Sequence, residues 1–196
     1  MITAAVSVKV LEPAAVAATP STPSLVVAPF TETVKVEDLF LAPGRFVRPS
    51  KLVIILRGLP GCGKSHVARL LKEKEVNVGG SAPRILSIDD YYLMDDSVPV
   101  WNSDQEEEYR QNLIKSFKRN LDEGHFPFII VDSLNMKASD VLDLSGPARL
   151  RGFAVFLVDL PTSSSRPGLT RKNMSNEDLQ VGISRLNSLT LNNAAI

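Results

Sequence analysis

The chain has 196 residues, with 22 basic and 22 acidic side chains, a net charge of zero and 44% hydrophobic residues. This composition fits one globular domain plus a tail, and is too short for two full domains. It argues against a broad basic face that coats nucleic acid, while leaving room for a local basic groove. The single cysteine, Cys62, excludes an internal disulfide framework and fits a reducing compartment. No apolar run approaches the roughly 18 residues that suggest a membrane span, so no membrane association is expected.

Residues 1–50 read as a flexible tail rich in Ala, Val and Pro. Six of the thirteen prolines fall here, which suits a linker. The first basic residue is Lys9, Glu12 and Pro13 interrupt the apolar run, and no arginine precedes Arg45. That pattern matches neither a secretory signal nor an organellar presequence.

The composition changes at Lys51. Residues 51–57 form a continuous β-rich apolar run, the signature of a strand buried on both faces in a parallel sheet. A glycine-rich turn follows, and the spacing then predicts a helix over 64–76, with Val67, Leu70 and Leu71 on one face and Arg69, Lys72, Glu73 and Lys74 mostly opposite. Residues 79–83 read as a loop. A second strand over 84–88 ends in Asp89-Asp90-Tyr91-Tyr92, and 94–102 look irregular.

Ser103 with Glu106 fits a capping box for a helix over 104–122. Acidic residues gather at its start and basic ones toward its end, as the helix dipole favours. Tyr109, Leu113, Phe117 and Leu121 mark its buried stripe, and Gly124 ends it. Residues 126–132 form a third strand ending in Asp132. A helix is expected within 138–150, broken by Ser145-Gly146-Pro147. Residues 152–159 form a fourth strand, 161–170 a loop, and 176–186 a last helix capped by Ser175. Strands alternating with helices predict an α/β domain over 51–190 with a parallel sheet flanked by helices.

Gly58-Leu-Pro60-Gly61-Cys62-Gly63-Lys64-Ser65 fits the phosphate-binding pattern G-x-x-x-x-G-K-[ST], with a buried strand before it and an amphipathic helix after it. Such a loop holds a polyphosphate through inward backbone N–H groups, which requires close approach and unusual backbone angles. The helix that follows presents its positive end to the phosphates. Lys64 is then expected to reach the β- and γ-phosphates, and the Ser65 hydroxyl to ligate Mg²⁺. His66 belongs to the nucleotide-contacting stretch as the third residue of the helix, at the loop or in solvent. Cys62 reads as a small filler in a variable position, with no histidine or second cysteine to make a catalytic thiol.

Asp132 ends a buried strand, where a carboxylate would hold the metal or its water. Asp89 and Asp90 follow the second strand, and one of the two can accept the proton of an attacking hydroxyl. Tyr91, Tyr92, Trp101 and Tyr109 could stack a base, but read more simply as core or rim residues. His125 falls in a turn, with no partner at metal-ligand spacing.

Two family resemblances follow. Residues 53–68, then 74–91 with the segment Gly79-Gly80-Ser81-Ala82-Pro83-Arg84 leading to Asp89-Asp90-Tyr91, then 107–110, 116–118 and 124–132, resemble the C-terminal P-loop domain of the YLP motif-containing protein family. The resemblance covers about residues 37–160 and implies a nuclear setting, a regulatory role and nuclear protein partners. The YLP repeats themselves are absent. More distantly, the chain resembles polynucleotide kinases, which implies that Asp89 activates a 5′-hydroxyl and that Asp132 lies near the active site. The arginine of that family's Asp-Asp-Tyr-Arg segment is replaced by Tyr92. Both families place an Arg-Asn pair in a late loop; here Lys172 separates Arg171 from Asn173. Arg171 or Arg166 is left to clamp the γ-phosphate.

The expected function is therefore ATP- and Mg²⁺-dependent phosphoryl transfer, with Lys64, Asp89, Asp132 and Arg171 as catalytic residues and a nucleotide or nucleic-acid end as acceptor. A nucleotide-binding interaction module that no longer transfers phosphate is the alternative. An NTP-hydrolysing switch fits less well, because a carboxylate after the second strand suits hydroxyl activation better than water positioning.

Overall fold

The computed structural model describes residues 39–40, 42–92 and 103–160, with the backbone alone at 7–11, 32–35, 92 and 103–104. Six strands form one sheet: β1 (Ser7–Leu11), β2 (Glu32–Lys35), β3 (Leu52–Arg57), β4 (Arg84–Ser87), β5 (Phe128–Asp132) and β6 (Ala154–Asp159). The helices are α1 (Gly44–Val47), α2 (Lys64–Asn77), α3 (Asp89–Tyr92), α4 (Ser103–Glu123) and α5 (Ala138–Leu150).

The strand order is β2-β1-β6-β3-β5-β4. β6, β3, β5 and β4 run parallel, as the unbroken apolar runs predict. β3 pairs with β5 from Leu52↔Phe128 to Leu56↔Asp132, which brings the carboxyl ends of both strands to one edge. β3 leads by way of α2 to the β4 side of the sheet, and β5 leads by way of α5 to β6 on the other side. Connections that part in this way leave a crevice beyond the carboxyl end of β3, where ligands of open α/β sheets bind.

Alternate residues of the strands serve two separate cores. Val53, Ile55, Ile129, Val131, Val155 and Leu157 pack with Leu113, Phe117, Val141 and Leu144 of α4 and α5. Ile54, Leu56, Ile130, Phe156 and Val158 pack with Ala68 and Leu71 of α2. The central strands are apolar throughout because both of their faces are covered.

The structure departs from the sequence-based expectation in two places. α5 runs unbroken from Ala138 to Leu150 with Pro147 inside it. Proline there lacks an N–H and disfavours helix, but Val141, Leu144, Ser145 and Ala148 bury one face against the sheet, and this packing outweighs the local preference. Upstream of residue 51, where composition suggests a flexible tail, β1 pairs antiparallel with β6, and β2 with β1.

Leu39 and Phe40 are also buried in the α2-side core. The Arg48 guanidinium lies over the rings of Phe40 and Phe128 and donates to the Leu39 carbonyl at 2.9 Å. Arg45 and Arg48 reach the buried Glu75 carboxylate of α2 at 2.8 and 2.7 Å. Burial alone would push the Glu75 carboxyl up, but hydrogen bonds from Arg48 and Arg45 hold it below the usual carboxylate range. The expected helix over 176–186 lies outside the described residues.

Candidate functional site

The loop between β3 and α2 is shaped by two glycines for different reasons. Gly63 precedes α2 at φ 95° and ψ 19°, a left-handed conformation that side-chain-bearing residues rarely adopt. A Cβ at Gly63 would meet nothing within 4 Å, so conformation rather than space selects glycine. At Gly58 crowding adds to conformation: its φ is 158°, and a Cβ would lie 2.6 Å from the Cys62 Sγ and 3.2 Å from the Leu160 Cβ. With Gly63 capping α2 through no side-chain hydrogen bond, the first N–H groups of the helix face the loop.

A cavity of about 480 Å³ opens beyond the loop. Pro60, Gly61, Gly63, Lys64, Ser65 and His66 line one side of it. Asp89, Asp90 and Asp132 line it as well, together with Ser87, Ser133 and Leu134. The expected residues thus converge from the ends of three strands. Gly58 and Cys62 lie behind the loop. The Gly58 N–H donates to the Leu134 carbonyl at 3.3 Å, and the Cys62 N–H donates to the Leu59 carbonyl at 3.2 Å. Burial pushes the Cys62 thiol up despite the nearby Lys64, so Cys62 packs rather than reacts. Arg166 and Arg171 lie outside the described residues.

Lys64 is buried, and its Nζ donates to the carbonyls of Gly58 and Leu59 at 3.0 and 2.9 Å. Its charge therefore sits inside the loop, in reach of an incoming phosphate. Asp132 is 4% exposed. Burial pushes its carboxyl up, and the charge of Asp89 pushes in the same direction. Hydrogen bonds from Ser65 and Ser87 and the charge of Lys64 oppose this. The Ser87 hydroxyl lies 3.4 Å from Asp132 Oδ2 and accepts the Asp89 N–H at 3.3 Å. Ser87 thus links the two carboxylate positions. The Ser65 hydroxyl and Asp132 together offer hard oxygen donors at the phosphate end of the cavity, the type of set that Mg²⁺ takes alongside phosphate oxygens and water. Among the described residues there is no cluster of three metal-ligating His, Cys, Asp or Glu side chains.

The loop after β5 completes the wall. Asn135 is buried at φ 48°, and its Nδ2 donates to the Leu56 carbonyl at 2.8 Å. That bond ties the loop to the end of β3. Ser87, Ser133 and Asn135 went unread in the sequence, which offered only a serine two positions before a strand-end aspartate as a turn signal. Tyr91 stacks on Tyr109 with ring centroids 6.2 Å apart, and both pack against the α4-side core rather than standing free for a base. His125 is exposed and lies 3.7 Å from Glu123. No described helix is long and apolar enough to cross a membrane.

A phosphate loop between a central parallel strand and a helix, facing strand-end carboxylates, defines a P-loop kinase-like α/β domain. The model of the family described as chromatin associated protein KTI12 matches residues 52–178, and the chain belongs to that family. It is also 39% identical over 154 residues to YLP motif-containing protein 1 of Rattus norvegicus, covering 70% of this chain and 11% of that protein. With the Homo sapiens protein of the same name it shares 38% over 154 residues, covering 70% and 7%. The chain thus spans about a tenth or less of those relatives' length.

Among solved structures it is similar to Mycobacterium tuberculosis APS kinase CysC in complex with AMPPNP and APS, with 20% identity, a TM-score of 0.45 and coverage of 71% and 99% of the two chains. A chain of the Pnkp1/Rnl/Hen1 complex is similar at 20% identity and a TM-score of 0.44, covering 64% of this chain and 42% of that one.

Proposed function

We propose that this domain binds ATP with Mg²⁺ and transfers the γ-phosphate to a hydroxyl of a nucleotide or a nucleic-acid end, within a nuclear protein. The observation that carries this reading is the convergence of Lys64, Ser65, Asp89 and Asp132 on one cavity, with the two carboxylates in different surroundings. Asp132 is buried beside Ser65, whereas Asp89 is only partly buried. The first suits a metal-organising group, and the second suits a base that must meet an incoming substrate.

In this mechanism the backbone N–H groups of the loop and Lys64 hold the triphosphate. Ser65 and Asp132 would hold Mg²⁺, which offsets charge on the β- and γ-phosphate oxygens when bound. Asp89 accepts the proton of the acceptor hydroxyl. The acceptor oxygen forms a bond to the γ-phosphorus as the bond from that phosphorus to the bridging β-oxygen breaks, and ADP leaves with that electron pair. Arg171 or Arg166 is proposed to stabilise the charge on the transferring group, an effect that can be worth about 10³–10⁵ in rate.

Transfer of labelled γ-phosphate to 5′-hydroxyl RNA and DNA oligonucleotides tests the reading. Label in the oligonucleotide with the wild type, and its loss in Asp89→Asn, is the expected result. Mg-ATP binding without transfer to any hydroxyl acceptor would instead identify a nucleotide-binding regulatory module. The Lys172 inserted between Arg171 and Asn173 favours that second reading.

A further inference from the structure

Ser87 holds a place that the mechanism above leaves without a task. It ends β4 directly across from Asp132 at the end of β5, and it lines the cavity. A serine hydroxyl has one hydrogen to donate and two lone pairs to accept with. Here it accepts the Asp89 N–H at 3.3 Å, which leaves its hydrogen for Asp132 Oδ2 at 3.4 Å. Both contacts are longer than the usual hydroxyl bond, as active-site hydrogen bonds often are before ligands tighten them. The backbone supports the same juxtaposition: the Ile88 N–H donates to the Asp132 carbonyl at 3.2 Å, and Asp89 opens the four-residue α3. Asp132 thus takes hydrogen bonds from two hydroxyls, Ser65 beside the phosphate loop and Ser87 on the neighbouring strand. A carboxylate that holds a cation is oriented by the groups that donate to it, and one such partner is worth about 10–100-fold in metal affinity or activity.

We propose that Ser87 is a positioning residue that serves both walls of the cavity: its hydroxyl orients the Asp132 carboxylate toward a divalent cation and holds the Asp89 backbone where the Asp89 side chain meets the acceptor hydroxyl. The second half rests on the kinase reading, but the first is a binding property that can be measured without turnover. The two halves are coupled because one hydroxyl makes both contacts, so its removal loosens both. Alanine in the same place would keep the strand and lose each contact.

The test uses the whole chain, adenylyl imidodiphosphate as a non-hydrolysable ATP analogue, and Mn²⁺ as the cation, with free Mn²⁺ read by electron paramagnetic resonance. Ser87→Ala should weaken Mn²⁺ binding by about 10–100-fold. Its affinity for the analogue in chelator should change by less than about threefold, below one charged hydrogen bond. Ser87→Thr keeps the hydroxyl and should recover most of the Mn²⁺ affinity. In an Asp132→Asn background, Ser87→Ala should cost less than about threefold, since residues that act through one contact are not additive. A serine that only holds the fold would cost the same in both backgrounds. Transfer by Ser87→Ala should fall in kcat at saturating Mg-ATP rather than in the KM for ATP. Thermal melts check folding, and Ser87→Cys, of similar shape with a weak donor, carries the test should the alanine variant unfold. Unchanged Mn²⁺ affinity in Ser87→Ala, an equal loss with and without the Asp132 carboxylate, or no Mn²⁺ site in the wild type overturns the proposal. Ser87-dependent Mn²⁺ binding without transfer to any hydroxyl would support the role at Asp132 and reject the kinase reading. Transfer that Ser87→Ala leaves unchanged would do the reverse.

Discussion

The phosphate-loop wall of the cavity grows out of β3, every residue of which is buried, whereas the carboxylate wall grows out of β4, an edge strand with only Leu86 fully buried. The loop is further held by Gly58 against Leu134 and Leu160, and by Lys64 on its own carbonyls. On the other wall, Asp89 is steadied by Ser87 and by the short α3. The difference implies a division of labour. The phosphate-loop side is locked by core packing, while the proposed acceptor side sits toward the sheet edge, where polar residues can vary without disturbing the core.

Two substitutions in the cavity probe that division, and two elsewhere set the scale of packing effects outside it. The largest effect is expected at Asp89→Asn, on the carboxylate wall. Phosphoryl transfer should fall by about 10²–10⁴-fold while ATP affinity, read by titration, changes by less than about threefold, a margin well below one charged hydrogen bond. A large loss of ATP affinity would show that the two walls are not separable.

Next, Asp132→Asn at the buried end should lower transfer by about 10²–10³-fold, the scale for one preorganised electrostatic partner, and yet raise stability. Because burial raises the folded-state pKa of Asp132, the folded protein holds that proton more tightly than the unfolded chain does. Wild-type stability therefore falls as pH rises from the unfolded carboxylate value, about 3.9, through the raised folded value. The advantage of Asp132→Asn should grow across that window and stay constant above it. Urea midpoints against pH, in chelator, read this directly. A variant less stable than wild type at neutral pH would mean that the Ser65 and Ser87 hydrogen bonds outweigh burial.

Glu75→Gln tests the upstream segment instead of the cavity. Losing both guanidinium contacts should cost about 2–3 kcal/mol, less than a fully buried pair because Arg45 is 21% exposed. The sign with pH is opposite to that of Asp132. The lowered folded pKa of Glu75 gives stability that is present above its unfolded value, about 4.3, and is lost as pH falls through the folded one. Denaturant titrations at several pH values check both parts. A loss within about 0.5 kcal/mol, the usual surface scale, would show that residues 39–40 and 42–48 dock without this triad.

The smallest effect is expected at Pro147→Ala, remote from both walls. Restoring the N–H inside α5 should stabilise by about 1–2 kcal/mol, after the greater freedom of the unfolded chain is set against it. Destabilisation would mean that the proline ring is itself a packing element.

Much of the fold was legible because its signals are local. The runs at 52–57, 128–132 and 154–159 announce strands covered on both faces, and the glycine spacing at 58, 61 and 63 with Lys64 and Ser65 announces the phosphate loop between strand and helix. The aspartates at 89 and 132 were marked by their place at strand ends. The continuity of α5 was not legible, since Pro147 and Gly146 speak for a break and only the buried Val141, Leu144 and Ala148 overrule them. Nor was Arg69: helical spacing put it among the charged residues opposite the apolar stripe, yet the face it occupies is a cavity wall.

What the sequence by itself determined is the four parallel strands, α2, α4 and the glycine pattern of the loop between β3 and α2, because strand runs, helix periods and glycine conformations are settled within a dozen neighbouring residues. Tertiary structure alone decided which carboxylate is buried and which faces the cavity, that Ser87 bridges them, that Glu75 receives two arginines, and that segments upstream of residue 51 join the sheet. Those outcomes depend on which surfaces meet across the fold. Burial and partner charge, unlike periodicity, exist only once distant parts of the chain have packed.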